Sequence, residues 1–217
     1  MKKKTNAMVG GIAFVLFILL IILLKTVDVA AVGPEGTSVG LSHLNVSFHE
    51  MFPLNMTFYK LTEMLGYLAL LVAAAFAMMG LSQRLRSKQA GGADHEFYIL
   101  AGLYVAMGIL YVLFEKVIIN YRPEILPGET GVEASFPSSH TMLACVVFGS
   151  AYTMLKIYME KSTKRLILQI VLDVLIFLTV FGRLICGVHW FTDIVGGVLI
   201  SIALVRMFNV FVIEDEG

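Results

Sequence analysis

LILQIVLDVLIFLTVFGRLICGVHWFTDIVGGVLISIALVRMFNVFV, residues 166–212, is two apolar runs joined by a tight turn. Leu166 to Cys186 and Trp190 to Val212 each have about the 20 residues that carry a helix across roughly 30 Å of hydrocarbon. The short turn near 187–189 makes them an antiparallel pair. Arg183, His189 and Asp193 fall at or beside that turn. Hydrocarbon tolerates such groups poorly, so their convergence at the end of two spans calls for a functional explanation.

Four further apolar segments precede this pair. They run from about Ala7 to Leu24, Thr57 to Leu81, Phe97 to Asn120 and Ser138 to Tyr158. The first could be a signal peptide, with Val29-Ala30-Ala31 as a weak cleavage region. Its apolar stretch is longer than a usual signal core of about 7–15 residues, which favours a retained anchor. Backbone groups in lipid must be satisfied internally, so the spans are expected to be helices. The expected fold is all-α, a polytopic bundle of six transmembrane helices, with residues 1–217 forming a single domain. Residues 26–55 read as a polar loop containing Gly and Pro.

Composition agrees. Of 217 residues, 58% are hydrophobic and only 15% charged, where a soluble domain carries about a quarter charged. Mean hydropathy is +0.84. The formal net charge is zero, so nothing points to a nucleic-acid partner; the partner environment is the bilayer. The two cysteines, Cys145 and Cys186, lie in apolar segments and read as small buried hydrophobes rather than a disulfide framework.

Basic residues set the expected orientation. The N-terminus (Lys2, Lys3, Lys4), the 82–95 loop (Arg84, Arg86, Lys88) and the 156–165 loop (Lys161, Lys164, Arg165) fall on one side of a six-span protein. The positive-inside rule makes that side cytoplasmic. Both termini are then inside, including the acidic tail Glu214-Asp215-Glu216. The loops 26–55, 121–137 and 187–189 face outward. The sequons at Asn45 and Asn55 would also face outward and read as ordinary loop residues.

Three polar clusters lie on that outward side. In the first, Lys116 precedes Arg122-Pro123; proline disfavours helical geometry at Arg122, so the helix should end just before it. Arginine can grip two phosphate oxygens while lysine adds a compact charge. The second is Pro137-Ser138-Ser139-His140. Proline suits a first helical turn, whose free N–H groups make an anion site. The third is Arg183 with His189 and Asp193, the last two spaced to share a helix face. A carboxylate there would fix the imidazole tautomer and leave its other nitrogen free to attack. Each cluster also has a plain reading taken alone: interfacial anchors, a capped helix start, an interfacial His–Asp hydrogen bond. Two pairs elsewhere read as structural. Asp173 and Arg206 lie at similar depth in the last two spans; Lys60 and Glu63, three apart at the outer start of the second, read as a helix pair, with a place along the substrate path as the alternative.

Jointly the clusters resemble the signature motifs of the type 2 phosphatidic acid phosphatase (PAP2) superfamily: Lys-x6-Arg-Pro, Pro-Ser-Gly-His, and Ser-Arg-x5-His-x3-Asp. The resemblance covers roughly residues 95–212. Three positions depart from it. Lys116 stands one residue late, with Glu115 in the strict position; Ser139 replaces glycine; Gly182 replaces the leading serine.

The resemblance implies an enzyme of lipid metabolism, a metal-independent phosphatase needing no cofactor. His189 would be the nucleophile forming a phosphohistidine, and Asp193 would orient it. His140 would protonate the leaving oxygen and then activate water. Lys116, Arg122, Ser138, Ser139 and Arg183 would hold the phosphate. The implied substrate is a lipid phosphate or pyrophosphate at the outer leaflet: a polyprenyl carrier such as undecaprenyl pyrophosphate, phosphatidylglycerophosphate or phosphatidic acid. A phosphotransferase with the same intermediate, and a metal-dependent membrane enzyme or non-enzymatic transporter using His140, His189 and Asp193 as ligands or a proton relay, are the alternative readings. No carboxylate cluster suited to magnesium and no Gly-rich phosphate loop is present.

Overall fold

The computed structural model describes residues 2–86 and 94–213. The acidic tail Glu214-Asp215-Glu216 and Lys88 lie outside the described residues. Seven α-helices occur among them: α1 Lys2–Thr26, α2 Ser42–Met51, α3 Met56–Arg86, α4 His95–Lys116, α5 Ser139–Tyr158, α6 Thr163–Ile185 and α7 Phe191–Val212. All but α2 are long and apolar enough to cross a bilayer, so the protein is a multi-pass membrane protein as its sequence predicts.

The spans divide into two inner and four outer helices. Over their apolar windows α5 is 56% buried and α7 44%, against 11–22% for the rest. The outer helices expose large side chains such as Leu71, Leu85 and Phe177, as suits an apolar solvent. A core of Phe17, Phe114, Phe136, Met142 and Ile200 joins α1 and α4 to the inner pair.

Antiparallel packing gives the bundle two polar ends. At one, Arg206 donates to Asn6 Oδ1 at 3.0 Å and Tyr158 donates to Asp94 at 2.9 Å. This is the end that carries the basic loops. The expected Asp173–Arg206 pair is not formed within ion-pair distance: Arg206 has taken Asn6 instead. Both residues line a cavity of about 1000 Å³ at this end, with Lys2 and Lys156.

At the other end three connections pack together, and the sequence reading is corrected there. Residues 26–55 are not a plain loop. Asp28 begins α2 by accepting from Ser42 Oγ at 2.9 Å and His43 N–H at 2.8 Å. Asn45 is no ordinary loop residue either. It is fully buried, donating to Gly40 O at 2.8 Å and Thr192 Oγ1 at 3.0 Å and accepting from Thr192 N–H. Asn55 Oδ1 accepts from Thr57 and Phe58 N–H and caps α3. Phe48 stacks on Phe191 at 4.2 Å, so α2 roofs the start of α7.

The helix before Arg122 stops earlier than expected, at Lys116 rather than near Asn120. Three β-branched residues follow, which fit a helix less well. The carbonyls of Ile118 and Ile119 accept instead from Lys25 Nζ, at 3.0 and 2.9 Å. The chain from there to Ser138 folds back on itself. Arg122 N–H donates to Glu133 O and Ser135 N–H to Asn120 O, both at 2.9 Å.

Two features bring this loop onto the inner helices. Gly197 faces Ser138 O and Thr141, where an added Cβ would come within 3.0 Å. Gly187 has φ +71, and a Cβ there would lie 2.6 Å from the backbone of Pro53 and Leu54; only glycine accepts both the conformation and the contact. Asn45→Ala should destabilise the protein by about 1–3 kcal/mol, the cost of stranding buried hydrogen-bond groups. A lowered thermal unfolding midpoint in detergent checks this.

Candidate active site

The two inner helices deliver their first turns to the same place. Ser138 caps α5: its hydroxyl accepts from Thr141 N–H at 3.5 Å, and its own N–H donates to Asp193 O at 3.0 Å. This ties the start of α5 to the start of α7. It also uses the Ser138 N–H that the sequence reading offered to a phosphate. Ser139 opens the helix and lines a pocket with Arg122, Glu115, Phe136 and His189. The pocket holds about 20 Å³, enough for one water.

His189 lies before α7, not within it. Trp190 is the N-cap and Asp193 the third helical residue. Asp193 Oδ2 accepts from Trp190 N–H at 2.9 Å, which holds the carboxylate over the helix start. Asp193 Oδ1 accepts from Asn120 at 3.4 Å. The His189 Nδ1 to Asp193 Oδ2 separation is 3.8 Å, close enough for charge attraction but too long for a hydrogen bond. So the predicted pairing of these two residues is met by proximity rather than by a bond. Both nitrogens of His189 are buried without a hydrogen-bond partner.

Burial is the main cause that holds His189 well below its usual imidazole value, reinforced by the guanidinium groups of Arg183 and Arg122. Its neutral form, the one with a free lone pair, is therefore favoured.

Arg183 is wholly buried at the end of α6. Its Nη2 donates to His140 Nδ1 at 2.9 Å, and its Nη1 to Thr62 Oγ1 at 3.1 Å and Glu63 Oε1 at 3.3 Å. Its guanidinium lies 5.2 Å from the Tyr59 ring centre. Arg122 lies 2.9 Å, Nε to Oε2, from Glu133. That contact is a charge pair without hydrogen-bond alignment, since Nε counts among the unpartnered buried atoms, as do Arg122 Nη1 and Arg183 Nε. Buried polar atoms usually have partners. Here five of them, on Arg122, Arg183 and His189, lie in one region.

Of the predicted residues, His140, Arg183, His189, Asp193, Arg122, Ser138 and Ser139 converge. Lys116 does not join them: it is exposed at the end of α4, and Glu115 lines the pocket in its place. The sequence reading favoured Glu63 as a partner for Lys60 over a place along the substrate path and did not count it among the site residues. Lys60 is exposed, and Glu63 turns inward, 3.0 Å from His140 Nε2. The available signal was spacing: Tyr59, Thr62, Glu63 and Gly66 recur at intervals that place them on one helix face.

The family model of the PAP2 superfamily matches residues 96–214. Among solved structures, the chain is similar to the crystal structure described as the first transmembrane PAP2 type phosphatidylglycerolphosphate phosphatase from Bacillus subtilis. The TM-score is 0.67 at 17% identity, over 92% of this chain and 94% of that one. No curated protein matches the sequence. The matched region holds all three polar clusters and four of the six spans, and the likeness in fold extends over the first two spans as well: the chain belongs to the PAP2 superfamily.

Proposed function

We propose that the protein is a membrane lipid phosphatase that removes a phosphate from a lipid phosphate or pyrophosphate through a phosphohistidine on His189, without a metal. The observation that carries this reading is the convergence of unpartnered buried nitrogens from Arg122, Arg183 and His189 beside His140. Two cations can balance the phosphate oxygens, and a neutral imidazole can attack phosphorus.

His189 Nε2 forms the bond to phosphorus while Asp193, near Nδ1, stabilises the charge that develops on the ring. Arg122, Arg183 and the hydroxyl and N–H of Ser139 hold the phosphoryl oxygens as charge redistributes in the transition state. His140 gives a proton to the leaving oxygen, and then takes one from the water that releases phosphate. Ser138 acts by fixing the first turn of α5 against α7. The site lies at the end of the bundle opposite the basic loops, so the positive-inside rule puts it at the outer leaflet with both termini cytoplasmic. There a headgroup can reach the polar end while its tail stays in hydrocarbon. Phosphatidylglycerophosphate, phosphatidic acid and a polyprenyl pyrophosphate are the candidate substrates.

Purified protein should release inorganic phosphate from at least one of these three lipids, undiminished by EDTA. His189→Ala should lower that rate by about 10³-fold or more, as loss of a nucleophile does. Phosphoryl transfer to another acceptor without phosphate release would indicate a transferase instead. Arg122→Ala should cost about 10²-fold in kcat/KM, the scale of one transition-state donor. Lys116→Ala should stay within about fivefold, the scale of an exposed charge.

The acid side of the pH profile follows from His189. Its neutral form is the nucleophile, and its affinity for a proton is depressed from the ordinary 6.5. As pH falls, the nucleophile should therefore survive below the usual histidine range. In kcat/KM, with the substrate's own ionisation near pH ~6 divided out, the limb due to His189 should lie clearly below pH 6.5.

A further inference from the structure

The family-matched region begins at residue 96, yet one wall of the site comes from α3, which ends at Arg86. Tyr59, Thr62, Glu63 and Gly66 form a stripe on one face of that helix. The first three touch Arg183. Glu63 and Gly66 shape the surroundings of His140. A Cβ at Gly66 would come within 2.8 Å of His140 Cδ2 and 3.2 Å of Nε2, so the missing side chain is the bed for the imidazole.

One hydrogen bond fixes which nitrogen of His140 carries hydrogen. A guanidinium only donates. The 2.9 Å contact from Arg183 Nη2 therefore makes His140 Nδ1 the acceptor. The proton sits on Nε2, which lies 3.0 Å from Glu63 Oε1, within ion-pair distance though not aligned as a hydrogen bond. Glu63 thus lies beside the protonated nitrogen whether the ring is neutral or cationic, and Nδ1 is left as the working atom. The other charged or titratable groups around this ring are Arg183 from α6, Arg122 from the loop before α5, and His189 from the turn before α7. Glu63 is the carboxylate in contact with it.

Resting on the phosphatase reading above, we propose that Glu63 is the positioning carboxylate of His140. The Glu63–His140 pair is then the counterpart of the Asp193–His189 pair on the opposite side of the phosphate. When Arg183 Nη2 turns from His140 to a phosphate oxygen, Nδ1 is free to bind a proton from solvent. The bond from His189 Nε2 to phosphorus forms, the phosphorus–ester oxygen bond breaks, and the Nδ1 proton goes to the leaving oxygen, giving the alcohol. In the second half, Nδ1 takes a proton from water as the water oxygen bonds to phosphorus and the nitrogen–phosphorus bond breaks. Phosphate leaves, and the sum is hydrolysis. Throughout, Glu63 touches only Nε2 and Arg183; it transfers no atom to substrate.

The bland alternative is that Glu63 merely neutralises buried Arg183. Leaving-group dependence separates the two. The probes are an alkyl phosphate and a nitrophenyl phosphate bearing the same hydrocarbon tail, assayed with the purified full chain in detergent. A nitrophenolate departs without a proton; an alkoxide does not. Glu63→Gln should lower kcat on the alkyl ester by about 10²–10⁴-fold, the range of general acid–base catalysis. KM should change by less than about threefold, because uniform binding is not what is lost. On the nitrophenyl ester the same variant should release about one equivalent of nitrophenol in a burst and then slow, since phosphoenzyme forms but water still needs His140.

Gly66→Ala should show the same pattern, because it shifts the His140 ring and leaves every charge in place. If Glu63→Gln fails to fold, Glu63→Asp carries the test: it keeps the charge but draws the carboxylate back from Nε2, and should show the same dependence on leaving group. His189→Ala should give no burst on either ester. Equal loss on both esters without a burst, unchanged kcat on the alkyl ester, or a raised KM with kcat intact would each overturn the role of Glu63. Wild-type protein that releases phosphate from neither ester would overturn the phosphatase reading itself, and this role with it.

Discussion

A guanidinium buried without any exposure at the end of a membrane span is the constraint around which this site is organised. Removing such a charge from water costs several kcal/mol even after relaxation, and its surroundings must return that energy through placed partners. Arg183 finds them on two other helices: Thr62, Glu63 and the Tyr59 ring on α3, and His140 on α5. Three helices are thereby held in one register at the polar end of the bundle. The same bonds that stabilise the cation also fix the tautomer of His140. Stability and chemistry here use one set of hydrogen bonds, so a change to any partner of Arg183 acts on both.

Much of the fold was legible because apolar length is an unambiguous signal. The six spans, the tight turn near His189 and the two free cysteines all follow from residue type and spacing. The third cluster was legible for a similar reason: Arg183, His189 and Asp193 sit at a turn with no room to separate. What the sequence hid was tertiary. The helical phase of His189 and Asp193 suggested one face of one helix. Instead the N–H of Trp190 bonds Asp193 and α7 begins at Phe191, which leaves His189 in the turn before the helix. Asn45 looked like a loop residue because its partner, Thr192, is far along the chain. Lys116 looked like a phosphate ligand by position, but α4 ends at that residue, and the lysine that satisfies the following carbonyls is Lys25 from α1.

Glu63 was hidden for a different reason. Local pairing with Lys60 is the ordinary expectation for charges three apart on a helix, and it is worth only about 0.2–0.5 kcal/mol. A buried cation and an imidazole offer a carboxylate far more. The stronger partner wins, and it can be seen only once α3 lies against α5 and α6. Residues that serve a site through long-range contacts leave weak traces in a linear reading, whereas residues that share a turn leave strong ones.

In the proposed mechanism, the same competition bears on how a phosphate enters and leaves. Arg122 lies against Glu133, and Arg183 against Glu63. Each cation thus faces a carboxylate from a neighbouring element, and an incoming phosphate must compete with those carboxylates for the guanidinium groups. Exchange of one anion for another costs less than stripping a bare cation of its only partner, because the buried charge is never left uncompensated. Under that proposal it would also limit how tightly product phosphate is held, since Glu63 and Glu133 lie beside the arginines. A site built from unpaired cations would bind phosphate more strongly and release it more slowly. Pairing each arginine with an acid therefore weakens ground-state binding, and leaves the transition state, with its greater charge on the transferring group, as the species that the guanidinium groups can favour most.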